Sequence, residues 1–116
     1  MKRSLATLVV DDDEAVRNAV SGLLEIVGHD VESVADIPQA IASLRGRTTD
    51  VAICDYMLQS DTIERLTMEP EFQGIPNRVL LTGHCPSEIS SSVLEQFHHV
   101  VSKTDVSATL LSAIDA

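Results

Sequence analysis

The sequence is short of basic residues, and this shortage excludes one class of function. Eight lysines and arginines stand against eighteen acids, which gives a formal net charge of -10. A field of this sign repels nucleic-acid phosphates and anionic membrane surfaces. We therefore expect no direct binding of nucleic acid and no membrane association.

Cysteines and long apolar runs are also scarce. Cys54 and Cys85 are the two cysteines, and no CxxC or Cys/His spacing indicates a zinc site or a disulfide framework. This composition fits a reducing compartment, and we predict a cytoplasmic location. The apolar run at residues 5–10 is too short to cross a membrane and ends against four acids, so we predict a buried strand there.

The length leaves room for one compact domain, predicted to span residues 1–116. Hydrophobic residues make up 44% of the chain and charged residues 22%, which is typical of a folded globular protein. Any output module is expected on another chain or outside this sequence.

Short apolar runs alternate with apolar residues at helical spacing. Five runs predict strands, at residues 5–10, 31–34, 51–54, 79–81 and 100–102. Between and after them the spacing predicts five helices. Gly28 is predicted to end the first, and Asp36 to cap the second. The third, around Ile63 and Leu66, is expected to be short because helix-breaking residues follow it, at Pro70, Gly74 and Pro76.

This alternation predicts an α/β fold, a doubly wound five-stranded parallel sheet flanked by five helices. In such sheets ligands bind outside the carboxyl ends of the strands, near the point where the strand order reverses. The residues that follow each predicted strand are therefore the candidates for a functional site.

Polar side chains stand at four of these strand ends. The first strand is followed by Asp11 and Asp12, the third by Asp55, the fourth by Thr82 and the fifth by Lys103. All five are expected at one edge of the sheet. Three clustered carboxylates repel one another, which is reasonable if a hard, oxygen-bound cation lies among them, and Mg²⁺ is the natural choice.

An aspartate at such a site also has a chemical use. A carboxylate can attack a phosphoryl donor and form an aspartyl phosphate, provided that the charge on the transferring oxygens is neutralised. The metal ion, Lys103 and the Thr82 hydroxyl would supply that neutralisation.

Each residue also has a simpler interpretation. The acids at 11–14 could be a cap and first-turn charges of the first helix, and Asp13 is predicted to be only that cap. Asp55 alone could be a solvated loop acid, and the joint placement at strand ends favours the site. Cys54 is predicted to be an inert core residue, and Cys85 an exposed one without function. The histidines are expected at the surface, at His84, His98 and His99.

The order and spacing of four motifs resemble the receiver family of two-component response regulators, over essentially the whole chain. The motifs are VVDD at 9–12, DVAICDYML at 50–58, VLLTG at 79–83 and VVSK at 100–103. The resemblance implies a flavodoxin-like fold with strand order 2-1-3-4-5. It also implies a phosphoryl group carried by Asp55.

The resemblance assigns a role to each remaining site residue. Asp12 would bind Mg²⁺ directly and Asp11 mainly through water. The backbone carbonyl of Met57 would complete the protein ligands. Thr82 would hydrogen-bond the phosphoryl group as the switch hydroxyl, and Lys103 would pair with it as a point charge.

Two further positions lie at the expected pocket mouth, Met57 and His84. The implied phosphoryl donor is a sensor histidine kinase or a histidine phosphotransfer protein, so the chain would be a signalling module and not an enzyme. Homodimerisation, if it occurs, is expected to be weak. The sequence leaves open whether the domain belongs to a longer regulator or to a hybrid kinase.

The chain departs from the family pattern at three places. Gln59 stands where the family usually has proline, and Val100 where an aromatic residue is common. Thr104 follows the lysine in place of a proline whose preceding bond is cis. We predict a trans bond here, because a cis bond without proline costs about 3 kcal/mol.

Two other functions compete with the phosphorylation switch. A Mg²⁺-dependent phosphohydrolase that also forms an aspartyl phosphate, similar to the haloacid dehalogenase group, needs a second acid two residues after its nucleophile. Asp11 and Asp13 have that spacing, whereas Met57 stands two residues after Asp55. The other is a degenerate receiver that acts only as an interaction module, which the intact acidic site argues against.

Overall fold

A single parallel sheet forms the centre of the molecule. The computed structural model of the chain describes residues 4–56, 58, 62–83, 85–104 and 106–115. The strands of the sheet are β1 (Ala6–Val10), β2 (Asp30–Val34), β3 (Val51–Asp55), β4 (Asn77–Thr82) and β5 (His99–Ser102). They are ordered β2-β1-β3-β4-β5, and each neighbouring pair is parallel. The predicted doubly wound sheet and its strand order are confirmed.

Helices connect the strands and cover both faces of the sheet. In the described part of the chain they are α1 (Glu14–Ile26), α2 (Ile37–Gly46), α3 (Glu64–Thr67), α4 (Pro70–Gln73), α5 (Ser91–Leu94) and α6 (Val106–Asp115). A 3₁₀ turn at Pro86–Glu88 precedes α5. The prediction of five helices was therefore wrong in number, because a further short helix, α4, follows the predicted third helix, α3.

A proline separates α3 from α4. The residue before a proline is forced out of the helical region, and Glu69 accordingly has an extended backbone with ψ 132° before Pro70. Pro70 then begins α4, where its missing N–H costs nothing. The helix between β4 and β5 is a single turn, α5, because the backbone at Ile89 is extended and Ser90 is not helical.

Alternate strand residues point to two separate cores. Val9, Ile53 and Leu81 point to one face, where they pack with side chains of α1 and α6. Leu8, Cys54 and Leu80 point to the other face, where α2, α3, α4 and α5 cover them. Every residue of β3 is buried, as expected for the central strand of a sheet covered on both faces.

The ends of the first two helices follow local rules. Gly28, with φ 98°, ends α1: its N–H donates to the Glu25 carbonyl and the His29 N–H donates to the Leu24 carbonyl. Asp36 begins α2 by accepting a hydrogen bond from the Gln39 N–H at 2.9 Å. Both predicted helix boundaries are confirmed, and they fix the lengths of the first two crossovers.

The reversal of strand order lies between β1 and β3, because the chain leaves β1 toward β2 on one side and returns to β3 on the other. The carboxyl ends of these two strands therefore flank the expected ligand crevice. Within the described residues, no helix is both long enough and apolar enough to cross a membrane.

Candidate functional site

The acids after β1 occupy three different environments. Asp11 is fully buried, and its N–H donates to the Val34 carbonyl of β2 at 3.2 Å. Asp12 is half-buried, and Asp13 is exposed. The Asp13 carboxylate accepts hydrogen bonds from the N–H groups of Ala15 and Val16, as an N-cap does. Asp13 therefore begins the helix, as predicted, while Asp11 and Asp12 face the edge of the sheet.

Asp55 is the last residue of β3 and lies beside the acids of the first strand. The sequence placed Asp55 just after its strand and Thr82 just after β4, but both strands extend by one residue to include them. The Asp55 side chain is 4% exposed. An ionised carboxylate at this depth requires a partner, because burial disfavours its charged form.

The three carboxylates form one cluster. Oxygen atoms of Asp11, Asp12 and Asp55 all lie within 4.8 Å of one another. Among the described residues, no group donates a hydrogen bond to Asp11 Oδ2, although this atom is buried. At an effective dielectric constant of about 20, two charges at this separation or closer repel by at least roughly 3.5 kcal/mol. The cluster thus needs positive charge.

Lys103 supplies part of that charge. Its Nζ atom lies 3.1 Å from Asp55 Oδ1 and 3.5 Å from Asp11 Oδ2, the second distance being long for a hydrogen bond. Burial alone would lower the pKa of Lys103, but hydrogen bonding and attraction to Asp55, with a further contribution from Asp11, raise it above its ordinary value. The ammonium group therefore stays protonated at neutral pH.

A backbone hydrogen bond fixes the position of Lys103 at the end of β5. Its N–H donates to the Thr82 carbonyl at 2.9 Å, which extends the pairing of β4 with β5 by one residue. The peptide bond between Lys103 and Thr104 is trans, as predicted, since the described residues include no cis bond. A turn follows in which the Ser102 and Thr104 hydroxyls lie 2.8 Å apart.

Thr82 is the last residue of the strand between β3 and β5. Its side chain is buried, and it pairs in register with Ser102. On the other side, Asp55 pairs with Leu81, and the Tyr56 N–H donates to the Leu81 carbonyl at 3.1 Å. Thr82 therefore lies at the same edge of the sheet as Asp55 and Lys103.

Other sequence predictions have mixed outcomes. Met57 and His84, predicted at the pocket mouth, lie outside the described residues, so the carbonyl ligand and both pocket-mouth assignments stay predictions. Cys54 is fully buried, and burial raises the pKa of its thiol, with Asp55 adding to the effect. It is an inert core residue, as predicted. Cys85 is exposed.

Arg17, which the sequence did not predict as a site residue, lies beside the cluster. Its Nη1 atom donates to the Asp11 carbonyl oxygen at 2.8 Å. A cation in the first turn of a helix is unfavourable for the helix dipole, so an arginine there requires another reason. That position in α1, one turn after the acids, was the signal that could have identified it.

The cluster fits a magnesium ion. Three carboxylates against one ammonium group leave a formal charge of -2, which a divalent cation balances. Octahedral Mg²⁺ holds neighbouring oxygens about 3 Å apart and opposite ones about 4 Å apart. Oxygens within 4.8 Å reach that geometry by a small movement, and the Asp11 oxygen without a hydrogen bond is available.

A cavity of about 430 Å³ lies elsewhere, between the ends of α2 and α4. Its lining includes Arg47, Thr49 and Gly74, and it shares no residue with the acidic cluster. Thr49 precedes β3, so this cavity is at the opposite edge of the sheet from Asp55.

Comparison with protein families gives a match over nearly the whole chain. A model of the response regulator receiver domain matches residues 7–115. A comparison with curated protein sequences gives no match.

Solved structures of the same fold cover almost all of this chain. The chemotaxis response regulator CheY4 of Vibrio cholerae is 24% identical with a TM-score of 0.85, over 97% of this chain and 98% of the other. A CheY-like receiver domain from Methylobacillus flagellatus is 21% identical with a TM-score of 0.81, over 97% and 99% of the two chains.

A third similar structure contains a modified residue. It is a response regulator protein from Burkholderia pseudomallei with a phosphorylated aspartic acid, a calcium ion and citrate. The two chains are 19% identical with a TM-score of 0.84, over 96% of this chain and 66% of the other.

Proposed function

The chain belongs to the response regulator receiver domain family of two-component signalling, and from this membership we propose that it is a Mg²⁺-assisted phosphorylation switch with Asp55 as phosphoacceptor. The observation that carries the proposal is the geometry around Asp55. Its buried carboxylate lies 3.1 Å from Lys103 Nζ and within 4.8 Å of two further carboxylates.

In the proposed reaction, a carboxylate oxygen of Asp55 attacks the phosphorus of the donor. An O–P bond forms, the N–P bond of a phosphohistidine breaks, and the histidine nitrogen leaves with the electron pair. Lys103 pairs with the phosphoryl oxygens, and the Thr82 hydroxyl donates a hydrogen bond to one of them. Asp11, Asp12 and Asp55 would hold Mg²⁺, with Met57 adding its carbonyl, and the ion would neutralise charge on the transferring oxygens.

The structure from Burkholderia pseudomallei supports this proposal by likeness of fold. A phosphorylated aspartic acid and a divalent cation occur together in that protein. The present chain offers the same two requirements at one edge of its sheet, namely a buried aspartate and a set of oxygen ligands.

The proposed partners follow from the chemistry. The donor is a sensor histidine kinase or a histidine phosphotransfer protein, and the chain acts as a signalling module and not as an enzyme in its own right. The charge of -10 argues against direct nucleic-acid binding. The single domain over 1–116 and the cytoplasmic location stay predictions.

The phosphohydrolase alternative is less well supported. It requires Asp13 as the acid that serves the leaving group, but the Asp13 carboxylate is exposed and caps α1 through Ala15 and Val16. The degenerate receiver is also less well supported, because an interaction module has no use for three clustered carboxylates that repel one another.

Two reagents separate these functions: beryllofluoride, which mimics the phosphoryl group, and acetyl phosphate, which donates it. With Mg²⁺, a switch binds beryllofluoride at Asp55 and shows altered NMR signals in the adjoining loops. A degenerate receiver gives no change, whereas a hydrolase turns over acetyl phosphate continuously without accumulating a modified protein.

We predict that activation changes the structure only locally. Val100, which is 37% exposed on β5, replaces the aromatic ring that would couple the site to that surface. The residue left to couple phosphorylation to a structural change is Thr82, which would move toward the phosphoryl oxygens and displace the loop at 83–86. Beryllofluoride should therefore shift amide signals near that loop and leave α6 unchanged, with weak or no dimerisation in sedimentation. Large shifts across β5 and α6, or a stable dimer, would contradict this.

We also predict slow loss of the phosphoryl group. Met57, two residues beyond Asp55, offers an attacking water neither a hydrogen bond nor a proton acceptor. Met57→Asn should accelerate the decay of label severalfold, since an amide can position water. The control Met68→Asn changes an exposed methionine and should have no effect. If Met57→Asn leaves the decay unchanged and His84→Ala slows it, His84 positions the water instead.

A further inference from the structure

Arg17 reaches back from α1 to the loop that carries the acids. Its Nη1 atom donates to the Asp11 carbonyl at 2.8 Å, and its own N–H donates to the Asp13 carbonyl at 2.9 Å. The side-chain bond is the shorter of the two and is charge-assisted, a class of hydrogen bond stronger than a neutral one. The guanidinium thus holds the peptide unit that joins Asp11 to Asp12.

We propose that Arg17 is a positioning residue of the metal site, one that fixes the peptide between Asp11 and Asp12 so that the Asp12 carboxylate points toward Asp55. The proposal rests on the proposed function, in which these acids bind Mg²⁺. Arg17 itself is not a ligand, because a guanidinium carries no acceptor atom.

The other contacts of the loop explain why this bond matters. The Asp11 N–H donates to the Val34 carbonyl, and the Asp11 Oδ1 atom accepts a hydrogen bond from the Asp13 N–H. Asp12 follows directly, is half-buried, and has a carboxylate oxygen within 4.8 Å of oxygens of Asp11 and Asp55. The direction of the Asp12 carboxylate depends on the orientation of the preceding peptide, which is the group that Arg17 binds.

A role through charge alone predicts the opposite result. A cation next to three carboxylates competes with Mg²⁺, so its removal would raise the affinity for the metal. Removal of a positioning bond lowers the affinity for Mg²⁺, because the less ordered ligands then lose more conformational entropy on binding than those of the wild-type chain. The sign of the change therefore distinguishes the two roles.

The test is calorimetric titration of the intact chain with MgCl₂, without phosphoryl donor. We expect Arg17→Met to weaken Mg²⁺ binding about five- to tenfold, the scale of one charge-assisted hydrogen bond at a half-exposed site. The matched control is Arg45→Met, which removes the same charge from an exposed arginine paired with Glu69, away from the acids. It should leave the Mg²⁺ affinity at the wild-type value or slightly above it.

A second readout and a second variant make the result decisive. Without metal, the amide of Asp12 should exchange faster with solvent in Arg17→Met, which a charge effect would not produce. If Arg17→Met does not fold, Arg17→Lys keeps the charge but loses the planar fork and one atom of reach. It should bind Mg²⁺ about two- to threefold more weakly, again a fraction of one hydrogen bond.

Three outcomes have separate meanings. Unchanged or stronger Mg²⁺ binding in Arg17→Met overturns the positioning role, as does wild-type affinity in Arg17→Lys if that variant alone folds. Absence of Mg²⁺ binding by the wild-type chain contradicts the proposed function of the site itself. Weaker binding in Arg17→Met together with unchanged binding in Arg45→Met supports both.

Discussion

Asp55→Asn is expected to reduce phosphoryl labelling by acetyl phosphate or a phosphohistidine donor to background. An amide is not a nucleophile of this kind and cannot form an acyl phosphate, so the loss should be complete. The substitution keeps the size of the buried side chain and removes only the charge that pairs with Lys103 Nζ at 3.1 Å. Because the Lys103 side chain is 28% exposed, water can solvate the freed ammonium group, and the variant should fold.

Asp50→Asn is the matched control. Asp50 precedes the same strand at its opposite end, where its Oδ2 atom accepts a hydrogen bond from the Ala6 N–H at 2.9 Å. Asparagine keeps an acceptor oxygen there, so labelling should persist at the wild-type level. Label that is stable in acid, lost in base and undiminished in Asp55→Asn would mean that another residue accepts the phosphoryl group.

Asp12→Ala should weaken Mg²⁺ binding by at least about tenfold, because it removes the carboxylate that we propose to bind the ion directly, one of three in the cluster. Asp13→Ala, one residue further, should leave Mg²⁺ binding unchanged. Its cost should appear in the free energy of unfolding, at about 1 kcal/mol, because Asp13 caps α1.

Two measurements on the same pair of variants make this comparison. Calorimetric titration gives the Mg²⁺ affinity, and thermal unfolding without metal gives the loss of stability. Asp12→Ala should change mainly the first quantity and Asp13→Ala mainly the second. Equal losses of Mg²⁺ affinity in both variants would place the metal ligand one residue away from Asp12.

The strands and the place of the site were predictable because both depend on short-range patterns. The apolar run at 51–54 is short and lies between polar residues, as is typical of a buried strand, and the parallel sheet brings its end beside the end of β1. Asp11, Asp12 and Asp55 therefore came together as expected. The positions of Thr82 and Lys103 were predicted in the same way, from the carboxyl ends of the next two strands.

The short helices were harder to predict because single backbone positions decide them. Pro70 was recognised as a helix breaker, but the extended backbone of Glu69 also lets a new helical turn begin at the proline. The chain therefore continues as α4 where the residues were expected only to end a helix.

Arg17 was missed for a different reason. Its hydrogen bond ends on a backbone carbonyl, and a backbone group has no sequence signature. The apolar spacing of α1, by contrast, indicates its buried side chains directly, among them Val20 and Leu24. A residue that acts by holding the backbone becomes visible only when the folded loop is known.

The central claim is that Asp55 carries the phosphoryl group, and the most direct measurement locates the modified residue chemically. After reaction with acetyl phosphate and Mg²⁺, borohydride reduces an acyl phosphate to the alcohol, and peptide mass spectrometry identifies the changed position. We predict homoserine at position 55 and none when Mg²⁺ is removed by a chelator. Homoserine at Asp11, Asp12 or Asp13, or an unmodified Asp55 in a chain that is labelled, would contradict the account.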